Sequence, residues 1–168
     1  STWGEITGSP GVSVSTRGPG AANMVNGVTH AWMDRAPLIV INDQYPGATL
    51  ETGMRQVVNQ HALFEQITKW QSTIYAKSVR QQIRRAIRVT TTPTPGPVQF
   101  DMPSNESTGE ATATIAEAPL IPNVISIEPD RNALRVPLQA LSNASKPILL
   151  VGLGVFWDKA SGELVKLA

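Results

Sequence analysis

The stretch GVSVSTRGPGAANMVNGVTHAWMDRAPLIVIND, residues 11–43, decides the fold of this chain. It opens with a short strand pattern at 11–16, bounded by Gly and Pro. An Arg-Gly-Pro-Gly turn follows, and Pro19 suits the first turn of a helix, where a missing N–H costs nothing. Apolar residues then recur at three- and four-residue steps, which predicts a helix of about four turns. The nearly continuous apolar run at 37–43 is typical of a strand covered on both faces in a parallel sheet.

The next sixty residues continue the alternation of strand and helix patterns. Residues 79–92 carry apolar side chains on one helical face and arginines on the other, which predicts an amphipathic helix with a solvated basic face. Alternation of this kind predicts an α/β fold, a layered parallel sheet with flanking helices and right-handed crossovers. The remaining elements expected here are a short helix at 61–66, a strand at 72–78 and a buried strand within 93–103.

The character of the chain changes after residue 103. Ser, Thr, Ala, Glu and Pro then dominate without clear periodicity, which indicates an interdomain linker at 104–128. We therefore expect a first domain over 1–103 and the start of a second α/β domain over 129–168. In the second we expect a helix at 130–143 despite Pro137, a buried strand at 147–152 and a helix at 158–167.

Composition narrows the classes of function. The chain has 168 residues, of which 41% are hydrophobic and 16% charged, typical of a globular protein. A net charge of +1 gives no electrostatic argument for nucleic acid, and no apolar run approaches a membrane span, so we expect neither partner. The absence of cysteine excludes disulfides and thiolate metal sites and fits a cytoplasmic protein. With only two histidines besides, we expect no metal site within the chain.

The two ends of the chain suggest a piece of something longer. It begins with STWGEITGSPGV, as though a helix had just finished, and it has no initial methionine. It stops at GELVKLA, in the middle of a helix-like segment. We therefore expect an excised or incomplete part of a larger protein.

The Gly-Pro-Gly turn at 18–20 is the first candidate binding site. Two residues without side chains let a ligand approach the backbone, and the helix that follows offers unpaired N–H groups. In open α/β sheets ligands collect at the carboxyl ends of strands, where this turn lies. A tight turn without any ligand accounts equally well for these residues taken alone.

Other candidate motifs have simpler interpretations. VGLGVF at 151–156 carries two glycines of a dinucleotide fingerprint, but Trp157 stands where a third small residue is needed, so a strand-to-helix turn is favoured. His61 lies in or beside a helical start, and no Gly-x-Ser-x-Gly nucleophile elbow occurs. Three aspartates lie at element ends, where caps and turns account for them: Asp34, Asp43 and Asp101.

The order of these pieces resembles the pyrimidine-binding domain of thiamine-diphosphate enzymes of the acetohydroxyacid synthase and pyruvate oxidase group. That family shows Gly-Pro-Gly-Ala-x-Asn, a helix ending in Met-Asp, and Pro-Leu before an apolar strand, as at 18–23, 33–34 and 37–38 here. Its loop glutamine stands about eleven residues before an Ile/Phe-Thr-Lys triplet, and Gln56 stands eleven before Ile67. The stretches PTPGPVQFDMPSN and KPILLVGLGV resemble the family's exit strand and the first strand of its central, Rossmann-like domain.

The resemblance implies a set of site residues. Five residues would line the aminopyrimidine half of thiamine diphosphate and the adjoining substrate pocket: Thr16, Pro19, Gly20, Asn23 and Gln56. Gln56 is the catalytic candidate, as a polar contact to substrate. The family's activating glutamate lies upstream, and Glu5 cannot be assumed to replace it.

The resemblance also implies partners for the intact protein. A second identical subunit would complete the cofactor site, in a homodimer or homotetramer. Mg²⁺ would bind the diphosphate through a domain absent from this chain, and FAD or ADP is possible in the central domain. The substrate would be a small 2-oxo acid or a related compound. The isolated chain is therefore expected to be inactive.

The predicted function is cleavage or formation of a C–C bond next to a carbonyl, by 2-oxo acid decarboxylation and carboligation in the manner of acetolactate synthase. Arg17 and Arg55 depart from the synthase pattern, so acetolactate synthesis itself is not implied. Two alternatives stay open at this point. One is a non-catalytic α/β assembly or regulatory module of the same fold, and the other is a nucleotide-binding domain that uses VGLGV.

Overall fold

The structure, a computed structural model, describes residues 1–52, 55–111 and 128–168. The chain divides into two compact units, Ser1–Pro122 and Asn123–Ala168. Within the described ranges, no helix combines the length and the apolar character that a bilayer crossing requires.

The first unit is built on a sheet of four parallel strands. These are β1 (Gly11–Ser15), β2 (Leu38–Gln44), β3 (Trp70–Thr73) and β4 (Pro97–Pro103). Their order across the sheet is β1-β2-β4-β3, so the last strand inserts between the second and the third. The predicted α/β fold with a parallel sheet is confirmed.

Helices connect the strands and flank the sheet. The longest, α2, has Pro19 in its first turn and ends at Met33, just before Arg35 takes a left-handed φ of 58°. The others are α1 (Thr2–Thr7), α3 (Gln60–Phe64), α4 (Val79–Thr91) and α5 (Ser104–Ser107), with 3₁₀ turns at Gly47–Thr49, Glu65–Ile67 and Ala76–Ser78.

The core lies on both faces of the sheet because successive strand residues point to opposite sides. Leu38 and Val40 pack in one buried cluster with Ala21, Val28 and Ala31 of α2 and Phe64 of α3. Ile39 packs on the other face in a cluster with Val98, Phe100 and Ala86, the last from α4. The apolar run of β2 is therefore covered on both sides, which is the reason it lacks a polar alternation.

Lys69 closes the amino end of the sheet from the start of β3. Its Nζ donates to the carbonyl oxygens of Val89, Thr92 and Thr94 at 2.6, 2.8 and 2.7 Å. These carbonyls end α4 and begin the turn after it, so the ammonium group supplies donors that a helix terminus lacks. Burial lowers the pKa of Lys69 from its ordinary value of 10.5.

Thr90 makes a second closure at the same end. Its hydroxyl accepts a hydrogen bond from the backbone N–H of Leu38 at 3.0 Å and donates to the carbonyl oxygen of Gly96. The side chain is fully buried. It thus joins α4 to the first residue of β2 and to the turn before β4.

One predicted strand is displaced along the sequence. The strand expected at 72–78 begins at Trp70 and ends at Thr73. Its pairing with β4 stops where the N–H of Ile74 donates to the carbonyl of Asp101 at 2.8 Å. Gln82 of α4 then bonds the N–H of Tyr75 and the carbonyl of Thr73, which turns the chain into the helix.

The second unit contains three helices among its described residues: α6 (Arg131–Asn143), α7 (Gly154–Trp157) and α8 (Ser161–Leu167). Asp130 caps α6 by accepting the N–H of Asn132 at 2.9 Å, and the helix accommodates Pro137 as expected. The helix expected at 158–167 begins three residues late, because Lys159 has a left-handed φ of 56°.

The strand predicted at 147–152 is wrong. These residues form no strand, and Ile148 and Leu150 are 92% and 100% exposed. A strand needs a ladder partner, and none of the described strands pairs with this segment. Of the linker predicted at 104–128, the first residues form α5, and residues 112–127 lie outside the described part.

Candidate functional site

Polar residues meet at the carboxyl ends of the four strands. The strand register aligns Ser15, Asn42, Asp101 and Thr73 in one row across the sheet. In β2 this row ends the apolar run at 38–41. In parallel sheets the carboxyl edge is where ligands bind, so the row marks the candidate site.

A buried hydrogen-bond network, here called the amide network, runs through this edge. Asn42 Nδ2 donates to Ser15 Oγ at 2.8 Å, and Gln99 Nε2 donates to Asn42 Oδ1 at 3.0 Å. Gln99 Nε2 also donates to Asp101 Oδ1 at 2.8 Å. Gln60 Nε2 donates to the same oxygen at 2.8 Å. Asn42, Gln60 and Gln99 are at most 1% exposed, so the network is fixed within the protein.

Gln60 connects the amide network to the start of α2. Its Oε1 accepts the backbone N–H of Gly18 at 3.2 Å, and its Nε2 also reaches the carbonyl of Asp43 at 3.2 Å. One side chain therefore ties together the first turn of α2 and the ends of β2 and β4. Asn59 begins α3 by accepting the N–H of Ala62 at 3.0 Å, which places Gln60 in its first turn.

The Gly-Pro-Gly turn is shaped by close backbone approaches. Gly18 has φ 62° and ψ −111°, a conformation that side-chain-bearing residues avoid. A Cβ on Gly18 would overlap the carbonyl oxygen of Gln56, and one on Gly20 would overlap Thr16 Oγ1. Arg17 beside it pairs with Asp43 at 2.5 Å. The turn therefore needs glycine for its own packing, whether or not a ligand binds.

Four of the five predicted site residues lie on the turn and the start of α2. Thr16, Pro19 and Asn23 are exposed, and Gly20 is half-buried. Gln56 is exposed on the loop after β2, with a left-handed φ of 59°, and its carbonyl faces Gly18. The structure thus brings Gln56 next to the turn, while the binding and catalytic roles of these residues stay predictions.

The residues that hold this edge together are not among the predicted site residues. Caps and turns do not account for two of the aspartates, since Asp43 pairs with Arg17 and Asp101 is 7% exposed within the amide network. Asp34 does cap the end of α2. A signal was present in the sequence, because Gln99 and Asp101 are polar residues that alternate with apolar ones in a strand expected to be buried.

A cavity of about 540 Å³ opens beside the amide network. Val57, Val58 and Leu50 give it apolar walls, and Tyr45 and Tyr75 add aromatic ones. Its titratable lining residues also include Glu51, His61, Asp101 and Glu106. A volume of this size accommodates a small organic molecule.

A group of side chains that could hold a metal ion lies elsewhere in the first unit. Among the described residues, the group whose ligand atoms lie within 4.8 Å of one another comprises Glu5, His30 and Asp34. His30 Nε2 lies 3.1 Å from Asp34 and Nδ1 lies 3.6 Å from Glu5, so the imidazole links α1 to the end of α2. A set that contains an imidazole nitrogen does not fit Mg²⁺, which prefers an all-oxygen octahedral set.

Comparison with known proteins matches the first part of the chain to a family. Residues 1–63 match the model of the thiamine pyrophosphate enzyme family, N-terminal TPP binding domain. Over 173 residues the chain is 32% identical to a probable acetolactate synthase large subunit of Methanocaldococcus jannaschii. The chain is thus similar, over almost its whole length, to thiamine-diphosphate enzymes of the acetohydroxyacid synthase group.

Other members of this thiamine-diphosphate group align over almost the same length. The mitochondrial acetolactate synthase catalytic subunit of Saccharomyces cerevisiae is 28% identical over 98% of the chain, and the chloroplastic acetolactate synthase of Arabidopsis thaliana is 30% identical over 90%. The chain spans 29% of the length of the M. jannaschii relative, 25% of the yeast one and 23% of the Arabidopsis one.

The fold also resembles that of a solved thiamine-diphosphate enzyme. The Rhodococcus jostii RHA1 thiamine diphosphate-dependent 4-hydroxybenzoylformate decarboxylase superposes with a TM-score of 0.75 at 22% sequence identity. The match covers 96% of this chain and 31% of that one. At this identity the likeness concerns the fold, and it agrees with the parallel sheet described above.

Proposed function

We propose that the protein that carries this chain is a thiamine-diphosphate-dependent enzyme that forms or cleaves C–C bonds next to a carbonyl. The reaction proposed is decarboxylation of a small 2-oxo acid with transfer of the remaining fragment to an acceptor, as in acetolactate synthases. The observation that carries the proposal is the TPP-binding match over residues 1–63, which contain the Gly-Pro-Gly turn at the carboxyl edge of the sheet. When bound, thiamine diphosphate supplies the carbanion chemistry.

The chain's own residues support a role in holding the aminopyrimidine half of that cofactor. The half-buried Gly20 lies in the first turn of α2, where N–H groups have no partner within the helix. Gly18 before it is buried, and its N–H is bonded to Gln60. The exposed side chains of Thr16 and Gln56 lie beside the start of α2, and that of Asn23 lies one helical turn further along the helix. Gln56 would contact the substrate from the loop after β2.

Further partners complete the proposal. A second identical subunit would close the site from outside, since Thr16, Pro19 and Asn23 are exposed in this chain. Mg²⁺ would be held by residues other than those described, because the donor set of Glu5, His30 and Asp34 does not fit it. FAD or ADP in the central domain remains a proposal that rests on family resemblance.

The nucleotide-binding alternative loses its structural basis. A dinucleotide fingerprint requires a strand that leads into the glycine turn, and residues 147–152 form no strand here. The helix that follows, α7, is four residues long.

The first experiment is calorimetric titration of the full-length protein with thiamine diphosphate and Mg²⁺, followed by measurement of CO₂ release from pyruvate and longer 2-oxo acids. We expect saturable binding and CO₂ release that depends on the cofactor. A folded full-length protein that binds no thiamine diphosphate would contradict the proposal and favour the assembly module.

The role of Gln56 is tested with a matched pair of variants. Gln56→Asn withdraws the amide by one methylene, and asparagine tolerates the left-handed backbone at this position. We expect kcat/KM to fall about 100-fold, as for a misplaced positioning group. Gln81→Asn, on the exposed side of α4, is the control and should leave kcat/KM unchanged. Equal effects of both variants on kcat/KM would contradict the proposed substrate contact of Gln56.

A further inference from the structure

His61 is the one basic side chain among the described residues that line the 540 Å³ cavity. It stands in the second position of α3. Its main chain is held in place because Gln71 Nε2 donates to its carbonyl oxygen at 2.7 Å. The side chain is 39% exposed, yet its Nε2 atom is buried and has no hydrogen-bond partner among the described residues.

The nearest charged group to that nitrogen is the carboxylate of Asp101. Asp101 Oδ1 accepts two hydrogen bonds at 2.8 Å, from Gln60 and Gln99. Asp101 Oδ2 lies 3.5 Å from His61 Nε2. One oxygen therefore anchors the carboxylate in the amide network, while the other faces the imidazole. A small rotation of the ring would turn this approach into a hydrogen bond.

We propose that His61 and Asp101 form a proton-transfer pair that serves the carbonyl group of a neutral acceptor bound in the cavity. Asp101 is the positioning residue, which holds the proton on Nε2. His61 lines the cavity, and the proposal assigns its Nδ1 to the bound acceptor. This inference rests on the proposed function, which supplies a carbanion as the nucleophile.

The proton balance of the step is simple. When a C–C bond forms at the acceptor's carbonyl carbon, the π electron pair moves to the carbonyl oxygen. That oxygen takes the Nδ1 proton of a doubly protonated His61, which leaves a hydroxyl group and a neutral imidazole still protonated at Nε2. In the cleavage direction, Nδ1 takes the hydroxyl proton back as the C–C bond breaks. A positioned acid–base group of this kind contributes about 100-fold or more to the rate.

The charge of the cavity indicates which part of a substrate enters it. The other titratable groups that line it are Tyr45, Tyr75 and three carboxylates, Glu51, Asp101 and Glu106. No lysine or arginine stands among the described lining residues. An anion would meet like charges there, so the cavity favours an uncharged aldehyde or ketone over the carboxylate of a 2-oxo acid. Apolar and aromatic walls suit its carbon chain or ring.

The binding part of the proposal is tested on this chain without any cofactor. Benzaldehyde and benzoate, which differ in charge but little in shape, are titrated into ¹⁵N-labelled protein while the His61 ring signals are followed by NMR. We expect benzaldehyde to shift these signals at a concentration at least about tenfold lower than benzoate does, because charge repulsion opposes the anion. Equal or tighter binding of benzoate would overturn the assignment of a neutral ligand.

The positioning role of Asp101 has its own readout. Long-range ¹H–¹⁵N spectra report the tautomer of neutral His61, and we expect the Nε2-protonated form in the unchanged chain. In Asp101→Asn the tautomers should mix, while the signals of His30, the other histidine, stay in place. An unchanged tautomer in that variant would overturn the pair.

The catalytic part is tested in the full-length protein loaded with thiamine diphosphate and Mg²⁺. His61→Gln should lower kcat/KM for carboligation by about 100-fold and remove one limb of its pH profile, with unchanged cofactor affinity. His30→Gln, at the far end of α2, is the control. Full carboligation by His61→Gln would overturn the catalytic role. If the cofactor does not bind at all, the proposed function fails, while the two NMR experiments still decide the pair.

Discussion

The two ends of the sheet provide hydrogen-bond partners for their polar groups in different ways. At the amino end, Lys69 and Thr90 direct their polar groups onto backbone carbonyls and one N–H, which closes the end of α4 and the start of β2. At the carboxyl end, the amide network joins side chain to side chain through Gln99 and Asp101, and Gln60 in addition bonds the backbone of Gly18 and Asp43. Gln99 Oε1 and His61 Nε2 there have no partner among the described residues.

The difference indicates that the amino end stabilises the fold and that the carboxyl end is suited to ligand binding. A side chain that satisfies backbone groups of two elements stabilises the fold, because its loss leaves buried donors or acceptors unpaired. A side-chain network with spare hydrogen-bonding capacity beside a cavity costs stability and is retained where a ligand binds. Substitutions at the amino end should therefore lower stability, and those within the amide network should mainly change function.

The largest expected effect is at Thr90. Thr90→Val removes the hydroxyl and leaves the N–H of Leu38 and the carbonyl of Gly96 unpaired in a buried place. We expect the free energy of unfolding to fall by about 3 kcal/mol in urea titration. Thr91→Val, its neighbour on α4, loses only bonds to the Ile87 and Arg88 carbonyls within the helix and should change stability by less than about 0.5 kcal/mol. Equal losses of stability in Thr90→Val and Thr91→Val would contradict a special role of Thr90 at the amino end.

Gly18 is a position at the carboxyl end where a substitution should lower stability. Any other residue would be strained in its backbone conformation. Gly18→Ala should lower stability by about 2 kcal/mol, through the left-handed φ and the overlap with the Gln56 carbonyl. Gly27→Ala, within the same helix and with open space around it, should raise stability by about 0.5 kcal/mol. Thermal denaturation of both variants measures the difference. If Gly18→Ala were as stable as the unchanged chain, the expected strain would be contradicted, and the turn would have to adjust to a side chain.

Lys69 tests the amino end with a charged group. Lys69→Met keeps the aliphatic stem but loses three hydrogen bonds to carbonyls, and we expect a loss of about 1 kcal/mol in urea titration. Lys77→Met, on an exposed 3₁₀ turn, is the control and should be neutral. A neutral Lys69→Met would show that this end does not depend on the ammonium group.

The lowered pKa of Lys69 adds a dependence on pH. The native state loses this proton at a lower pH than the unfolded state does, so the unfolded chain binds more protons in the interval between the two pKa values. The free energy of unfolding should therefore rise as the pH approaches 10.5, the ordinary pKa of lysine, from below, relative to Lys69→Met. Denaturation curves across that range check the sign, and a fall would contradict the burial effect.

The smallest effect on stability is expected at Asp101. Asp101→Asn keeps Oδ1 as the acceptor for Gln60 and Gln99 and removes a buried carboxylate, so the free energy of unfolding should change by less than about 1 kcal/mol. Denaturation in urea measures it beside the tautomer experiment. A loss as large as that of Thr90→Val would show that the amide network serves stability first.

Much of the fold could be predicted because the signals are local. Pro19, the apolar periodicity of α2 and the continuous run of β2 each depend on neighbours within a few turns of chain. The predicted strand at 147–152 failed for the opposite reason. An apolar run records only the preference for burial, whereas a strand also requires a partner for its hydrogen bonds.

The sequence by itself determined the α/β alternation, the Gly-Pro-Gly turn and the family that the chain resembles. Only the tertiary structure decided that Gln60, His61 and Asp101 meet at one edge of the sheet. Gln60 and Asp101 are 41 residues apart, and their contact depends on the insertion of β4 between β2 and β3. Hydrophobic periodicity fixes which face a residue takes, but strand order and register place it beside a distant partner.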